Sequence, residues 1–212
     1  IRDFELRGEE QRRIRAGEMT VDIDPWRLLF GQVHVERAEL SSVYLRVDRR
    51  PDGSFDLGLP PFGDDREPAA EAAEPIDFSI AGANLKDVVI DYRDGELTSV
   101  LDIDFVKAGA YSLKADSQQV PVEWQLRWDE RQIVGDARVV LTDGEVAASG
   151  RVRTDLLDLG RVEQLARLDP TMSGQAGFSG DYAWQAATLT LNGDLQVPEL
   201  AYRIAERNVT LR

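Results

Sequence analysis

Two carboxylate pairs, Asp22-Ile23-Asp24 and Asp102-Ile103-Asp104, have the spacing that puts both acids on one face of a strand. Such a pair can begin a calcium site. Ca²⁺ takes about six to eight oxygens, and neither stretch is a loop able to supply them, so solvated strand faces fit better. Asp52-Gly53-Ser54-Phe55-Asp56 lacks the spaced acids and terminal Glu of an EF-hand loop. Acid–base hydrolysis by paired carboxylates has 39 Asp and Glu to draw on, but nothing marks out two of them. His34 is the one histidine and there is no cysteine, which excludes disulfides, thiolate metal sites, Cys nucleophiles and any triad that does not use that imidazole. Lying between Val33 and Val35 on the polar phase of its strand, it reads as a surface residue. Gly174, Gly177 and Gly180 are three apart, yet no strand–turn–helix follows to cradle a phosphate.

The remaining candidates are apolar. Trp124, Trp128, Tyr182 and Trp184, with Phe105 and Phe178, fall on the apolar phases of their segments. They read either as core beneath a second sheet or as a long surface open to a greasy ligand. Composition narrows the choices. With 25 Lys and Arg against 39 Asp and Glu, the net charge is -14, which disfavours sequence-blind nucleic-acid binding and adsorption to anionic lipid. No apolar run approaches the roughly 20 residues that span a bilayer. Ile at position 1 reads as the start of a processed or excised piece. At 212 residues the chain can bury a core without covalent staples.

These residues need strands to position them, and period-two alternation dominates the chain. Val120, Val122, Trp124, Leu126 and Trp128 alternate with polar residues, then Ile133, Ala137, Val139 and Leu141, then Val146, Ala148 and Val152. A two-residue turn at Asp143-Gly144 sets Leu141 opposite Val146, and a loop at 129–132 sets Trp128 opposite Ile133 and Trp124 opposite Ala137. A turn at Asp94-Gly95 sets Tyr92 opposite Leu97 and Val88 opposite Leu101, with Ile90, Ile103 and Phe105 on the same face. A loop at 185–188 sets Trp184 opposite Leu189 and Tyr182 opposite Leu191, and the following strand runs straight through Gly193. Ile14 and Ala16 change phase to Met19, Val21 and Ile23 beside Gly17, which predicts a bulge. Two short helices are predicted: Asp24 to Gly31, with an Asp cap and Pro at the first helical position, and Leu156 to Leu168. Pro60 to Pro75, rich in Pro, Ala and acids, reads as an exposed linker between a segment at 1–59 and a meander at 76–212 that continues the same sheet.

The stretch Ile14 to Gly31, a strand running into a short helix with the Leu28-Leu29 pair, resembles the early region of AsmA-like proteins. The strand pair Val33–Leu40 and Val43–Val47, leading to Asp52-Gly53-Ser54-Phe55-Asp56-Leu57, is similar to the family's next feature, as are Ile76–Ile80 and Leu85 through Asp104. The likeness covers about residues 1–110. It implies an inner-membrane anchor in a segment missing from this chain, a periplasmic body, and an elongated sheet curled into a groove whose apolar inside carries phospholipid acyl chains. Partners within the envelope are implied too.

Together these readings predict a mainly β chain, a long antiparallel meander curling into an open apolar groove with one or two short helices. Its function would be lipid binding or transfer without catalysis or cofactor. The predicted lining is Val88, Ile90 and Tyr92; Leu101, Ile103 and Phe105; Trp124, Leu126 and Trp128; Val139 and Leu141; Tyr182 and Trp184. The alternative is a closed β-sandwich for adhesion or assembly, with these residues as core. A carbohydrate-active enzyme using paired carboxylates stands third.

Overall fold

A computed structural model describes residues 2–7, 12–56, 77–113, 117–142, 145–166, 172–204 and 207–211, with side chains placed over 14–56, 77–113, 117–142, 145–165 and 173–201. The Pro60–Pro75 linker and the Asp143-Gly144 turn residues lie outside the described residues. In chain order the elements are β1 (Arg2–Arg7), β2 (Arg12–Ile23), α1 (Pro25–Leu28), β3 (Gln32–Arg49), β4 (Phe55–Asp56), β5 (Asp77–Ile80), β6 (Ala83–Asp94), β7 (Leu97–Ala108) and β8 (Tyr111–Ser112). They continue as β9 (Ser117–Trp128), β10 (Arg131–Thr142), β11 (Glu145–Thr154), β12 (Leu157–Asp158), α2 (Leu159–Ala166), β13 (Met172–Gln185), β14 (Thr188–Ile204) and β15 (Arg207–Leu211). All the strands belong to one open sheet, in the order β1-β2-β3-β6-β7-β9-β10-β11-β13-β14-β15, with the four short strands attached beside this path. Among the described residues the fold is therefore mainly β, a single open sheet built largely as a meander, with two short helices.

A closed sandwich needs a second sheet packed about 10 Å from the first. The described strands form one sheet only, so the sandwich alternative is set aside. Burial agrees. Among the described residues Val35, Val88, Val120 and Ala137 are the buried apolar side chains, joined by Ser99, and none is completely enclosed.

The meander is not antiparallel throughout. β3 pairs in parallel with β6, Val43 beside Val88 and Leu45 beside Ile90, and its start pairs in parallel with β5. The chain leaves β3 at Arg49 and returns at Asp77 beside Gln32, at the opposite end of the strand. A crossing of that kind makes the next neighbour parallel.

Two hairpins are tighter or shifted relative to expectation. The β9–β10 connection is the two-residue turn Asp129-Glu130, both residues at positive φ (44° and 69°), so Trp128 faces Arg131 and Trp124 faces Gly135. Double positive φ is the signature of the I′ turn, whose twist matches that of the flanking strands. Asp129 is held there because its carboxylate accepts from the Val100 amide (2.9 Å) and Ser99 Oγ (3.0 Å). The β6–β7 turn is Gly95-Glu96, with Gly95 at φ 65°, so Tyr92 faces Ser99, Ile90 faces Leu101 and Val88 faces Ile103. Both changes move the register by two residues, which keeps side chains on their expected faces. The remaining hairpins match the sequence reading: Leu141 faces Val146, Trp184 faces Leu189, and β14 runs through Gly193 opposite Gly180.

The bulge expected at Gly17 is one member of a row. Gly17 lies opposite Ser42 (φ 56°), Ser42 lies beside Asp87 (φ 51°), and Asp87 lies opposite Asp104, where the β7–β9 register slips by one residue. Four adjacent strands thus each carry one extra residue at the same level, relative to β9. Bulges increase local twist and bend the strand that bears them.

Candidate functional site

The bulge row decides which side chains share a face. Above it, Ala16, Val43, Val88 and Ile103 are aligned and lead to Leu126 on β9. Below it the phase steps by three residues, so Met19, Leu40, Leu85 and Val106 are aligned and lead to Trp124. Leu126 and Trp124 are two apart on a regular strand and share a face. The apolar face therefore crosses the row without a break.

Twelve of the predicted lining residues lie on this face. Val88, Ile90 and Tyr92 neighbour Leu101 and Ile103; these meet Leu126 and Trp128; Trp124 stands on the same strand; Val139 and Leu141 continue across β10; Tyr182 and Trp184 close the series on β13. Phe105 is the correction. It lies opposite Gln125 and Lys86, and the Lys107 ammonium sits 4.8 Å from its ring centre, all on the charged face. The bulge at Asp104 turns it over. Val106 occupies the place expected for it.

Sequence reading also missed the members of the face below the row. Met19, Val21, Ala38, Leu40, Ala83, Leu85, Val106 and Ala108 line a hollow of about 270 Å³. Its floor is a row of small residues, Ala38 beside Ala83 and Ala83 opposite Ala108. The signal was present in the three-residue spacings Leu85–Val88 and Ile103–Val106.

On the other half of the sheet the face is aromatic. The Trp124 ring lies over Gly135, where any Cβ would overlap it, and packs edge-on against Tyr182 with ring centres 6.1 Å apart. Tyr182 itself lies opposite Gly150. Burial, then the charge of Asp136, raises the Tyr182 pKa, so the ring stays neutral. Leu189, Leu191 and Leu195 on β14 are more than half exposed.

The two ends of the face differ. At the end bearing the Gly95 and Asp129 turns it meets polar contacts, with the exposed Phe55 ring 6.5 Å from Tyr92 beside them. Arg49 Nη1 pairs with Asp94 (3.8 Å), Trp128 Nε1 donates to the buried Ser99 Oγ (2.7 Å), and Arg161 of α2 reaches Asp129 (3.0 Å) and the Thr98 carbonyl. At the α1 end it stops at uncovered apolar side chains, Ile23, Val146, Trp184 and Leu189.

The opposite face carries cross-strand charges. Lys86 pairs with Glu39 (2.9 Å), Asp104 accepts from Gln125 and Arg127, and Asp136 pairs with Arg151 (3.4 Å). The Arg93 guanidinium and then the Tyr44 hydroxyl hold Asp91 below the ordinary carboxylate range, against the opposing pull of burial. Two of the acids weighed for calcium have protein partners. Asp24 caps α1, accepting from the Trp26 and Arg27 amides, and Asp104 serves Gln125 and Arg127. His34 is half-buried, its Nδ1 2.8 Å from Ser79 Oγ. Among the described residues no three His, Asp or Glu side chains converge as a metal site would need. Gly174, Gly177 and Gly180 lie within strand β13.

The fold and face define an open β-sheet protein with one charged side and one continuous apolar side. No family model matches the chain, nor does any curated protein or solved structure.

Proposed function

We propose that this chain is a lipid-binding segment of an AsmA-like transfer protein of the bacterial envelope, holding phospholipid acyl chains against its apolar face without catalysing a reaction. In this reading the body is periplasmic, anchored in the inner membrane through a segment outside this sequence, and its partners are phospholipid and envelope proteins. The observation that supports it is the apolar face running unbroken across the bulge row with no second layer over it among the described residues. Twelve-residue strands such as β6 and β9 extend about 40 Å, longer than the roughly 15 Å depth of one leaflet's hydrocarbon. Complete burial of a methylene gains about 0.8 kcal/mol; a chain lying on an open face is covered on one side and gains about half of that per methylene. Affinity of this kind holds cargo and still lets it slide. No polar partner is required along the path, because acyl chains are bound by contact area.

Native mass spectrometry of the protein isolated from bacterial envelopes, with extraction of bound lipid, tests the reading. The expected result is co-purifying phospholipid, together with saturable binding of a fluorescent fatty acid supplied below its micelle concentration. Protein that carries no lipid and binds no fatty acid would refute it.

A further inference from the structure

The turn between β2 and β3 is built as a rigid apolar protrusion. Asp24 caps α1 through the Trp26 amide (2.9 Å), Pro25 fixes the first helical φ, and the Asp24 amide donates to the His34 carbonyl (2.9 Å), tying the base of the turn to β3. The last turn closes through the Phe30 amide on the Arg27 carbonyl (3.0 Å) and the Gly31 amide on the Leu28 carbonyl (3.1 Å). This well-made turn presents Trp26, Leu29 and Phe30 at 73%, 73% and 80% exposure. Capping, proline and backbone pairing are spent on holding three large apolar side chains in water.

A convex apolar knob fits a different partner from a groove. Resting on the lipid-binding reading above, we propose that the α1 turn seats this chain on a bilayer surface, with Trp26, Leu29 and Phe30 among the acyl chains. The edge beside it would then serve as the mouth through which a chain passes onto the sheet. Three observations carry this. Trp, Leu and Phe on a short protrusion are the side chains that settle at a bilayer interface. The exposed Ile23, Val21 and Met19 lead along β2 from the turn directly into the 270 Å³ hollow. The opposite end of the face carries the Arg49–Asp94 and Arg161–Asp129 pairs beside the exposed Phe55, whereas the α1 end gathers several uncovered apolar side chains next to the knob and is the apolar entrance.

Charge sets the kind of surface. Arg27 is engaged by Asp24 (3.4 Å), Asp22 is exposed nearby, and the chain as a whole carries -14. Attachment is therefore apolar. It should need no anionic lipid and should persist in high salt, unlike attachment through basic residues.

The chain has no cysteine, so a single introduced one is the only labelling site. Phe30→Cys carrying an environment-sensitive fluorophore should brighten and shift to the blue on adding phosphatidylcholine vesicles, at low and high salt alike. The same label at Asp52→Cys, at the other end of β3, should not respond. Combining Trp26→Ser, Leu29→Ser and Phe30→Ser should weaken vesicle flotation about tenfold or more. That variant should keep its circular dichroism spectrum, since the three side chains are mostly exposed. An unresponsive Phe30 label, or a triple variant that floats like the parent, overturns the proposal; so does binding that requires anionic lipid and disappears in salt. Fatty acid supplied as monomer separates the two readings. The triple variant should still bind it, whereas failure of the parent chain to bind it would count against the lipid-binding reading itself.

Discussion

Phe105 and Val106 are adjacent, and the bulge at Asp104 makes opposite use of them. Asp at each position therefore tests the face assignment within one strand. Val106 is half-buried, aligned with Leu85 and Trp124, and lines the hollow. Burying a valine side chain completely is worth about 1.5–3 kcal/mol, so an acyl chain laid over the half that is open recovers roughly 1 kcal/mol. An aspartate there has apolar neighbours on this face and must be dehydrated when a chain arrives, a further cost of about 1–3 kcal/mol. The two together make about 2–4 kcal/mol, so fatty-acid affinity should fall at least tenfold in Val106→Asp. Phe105→Asp loses a cation–π contact with Lys107 worth about 0.5–1 kcal/mol and gains a carboxylate beside Lys86 and Lys107. Its affinity should stay within about twofold of the parent, a change of under half a kcal/mol. Without ligand, both variants keep the new charge at least partly hydrated, and urea denaturation should place each within about 2 kcal/mol of the parent. Fluorescence titration with a monomeric fatty acid analogue reads the affinities directly. Equal losses, or a larger loss in Phe105→Asp, would mean that alternation continues through residue 105, and the argument for a continuous face across the row would fail.

The β13–β14 turn places Ala186 and Ala187 at φ 47° and 61°, where an L-residue with a Cβ is strained by about 1–2 kcal/mol. Replacing the pair with Asn-Gly should raise the denaturation midpoint by an increment worth about 1 kcal/mol, with fatty-acid binding unchanged. Asp91, held below its ordinary value of 3.8 chiefly by Arg93 and then Tyr44, contributes stability present above that pH and lost as pH falls through the lowered folded value. Asp91→Asn should therefore show a shallower decline of thermal midpoint below pH 3.8 than the parent, while costing less than about 1 kcal/mol at neutral pH, because the group lies on an open charged face. A parallel decline in the two proteins would rule out the Arg93–Asp91–Tyr44 contact as its source.

Most of the fold was legible because alternation with one apolar phase both identifies a strand and assigns its faces. The hairpin at Asp143-Gly144 and the one before Leu189 followed from that rule, and the phase change at Gly17 announced a bulge. Besides the β6–β7 turn, which sits one residue beyond the Asp94-Gly95 pair, three features were not legible. At Phe105 the residue after the bulge happens to be apolar, so Leu101, Ile103 and Phe105 mimic unbroken alternation and hide the step to Val106. At Asp129-Glu130 the turn lacks the Asn-Gly or Asp-Gly pair that advertises positive φ; contacts to Ser99 and Val100, thirty residues away in sequence, hold Asp129 there. The parallel β3–β6 pair depends on where the chain returns after a long connection, which alternation within either strand does not encode.

The bulge row also explains why the two halves of the apolar face differ in kind. On β2, β3, β6 and β7 an extra residue at one level bends the strands together, and just beyond it the aligned Ala38, Ala83 and Ala108 leave the sheet bare enough to form a hollow. β9 carries no extra residue at that level, and there the face is filled by Trp124 lying over Gly135 and meeting Tyr182. A hollow floored by alanine gives depth, whereas rings lying over glycine give breadth without height. An acyl chain entering at the α1 end would therefore meet a pocket first and an aromatic track afterwards. In this arrangement four single-residue insertions, stacked across the strands, join the two without interrupting the apolar surface.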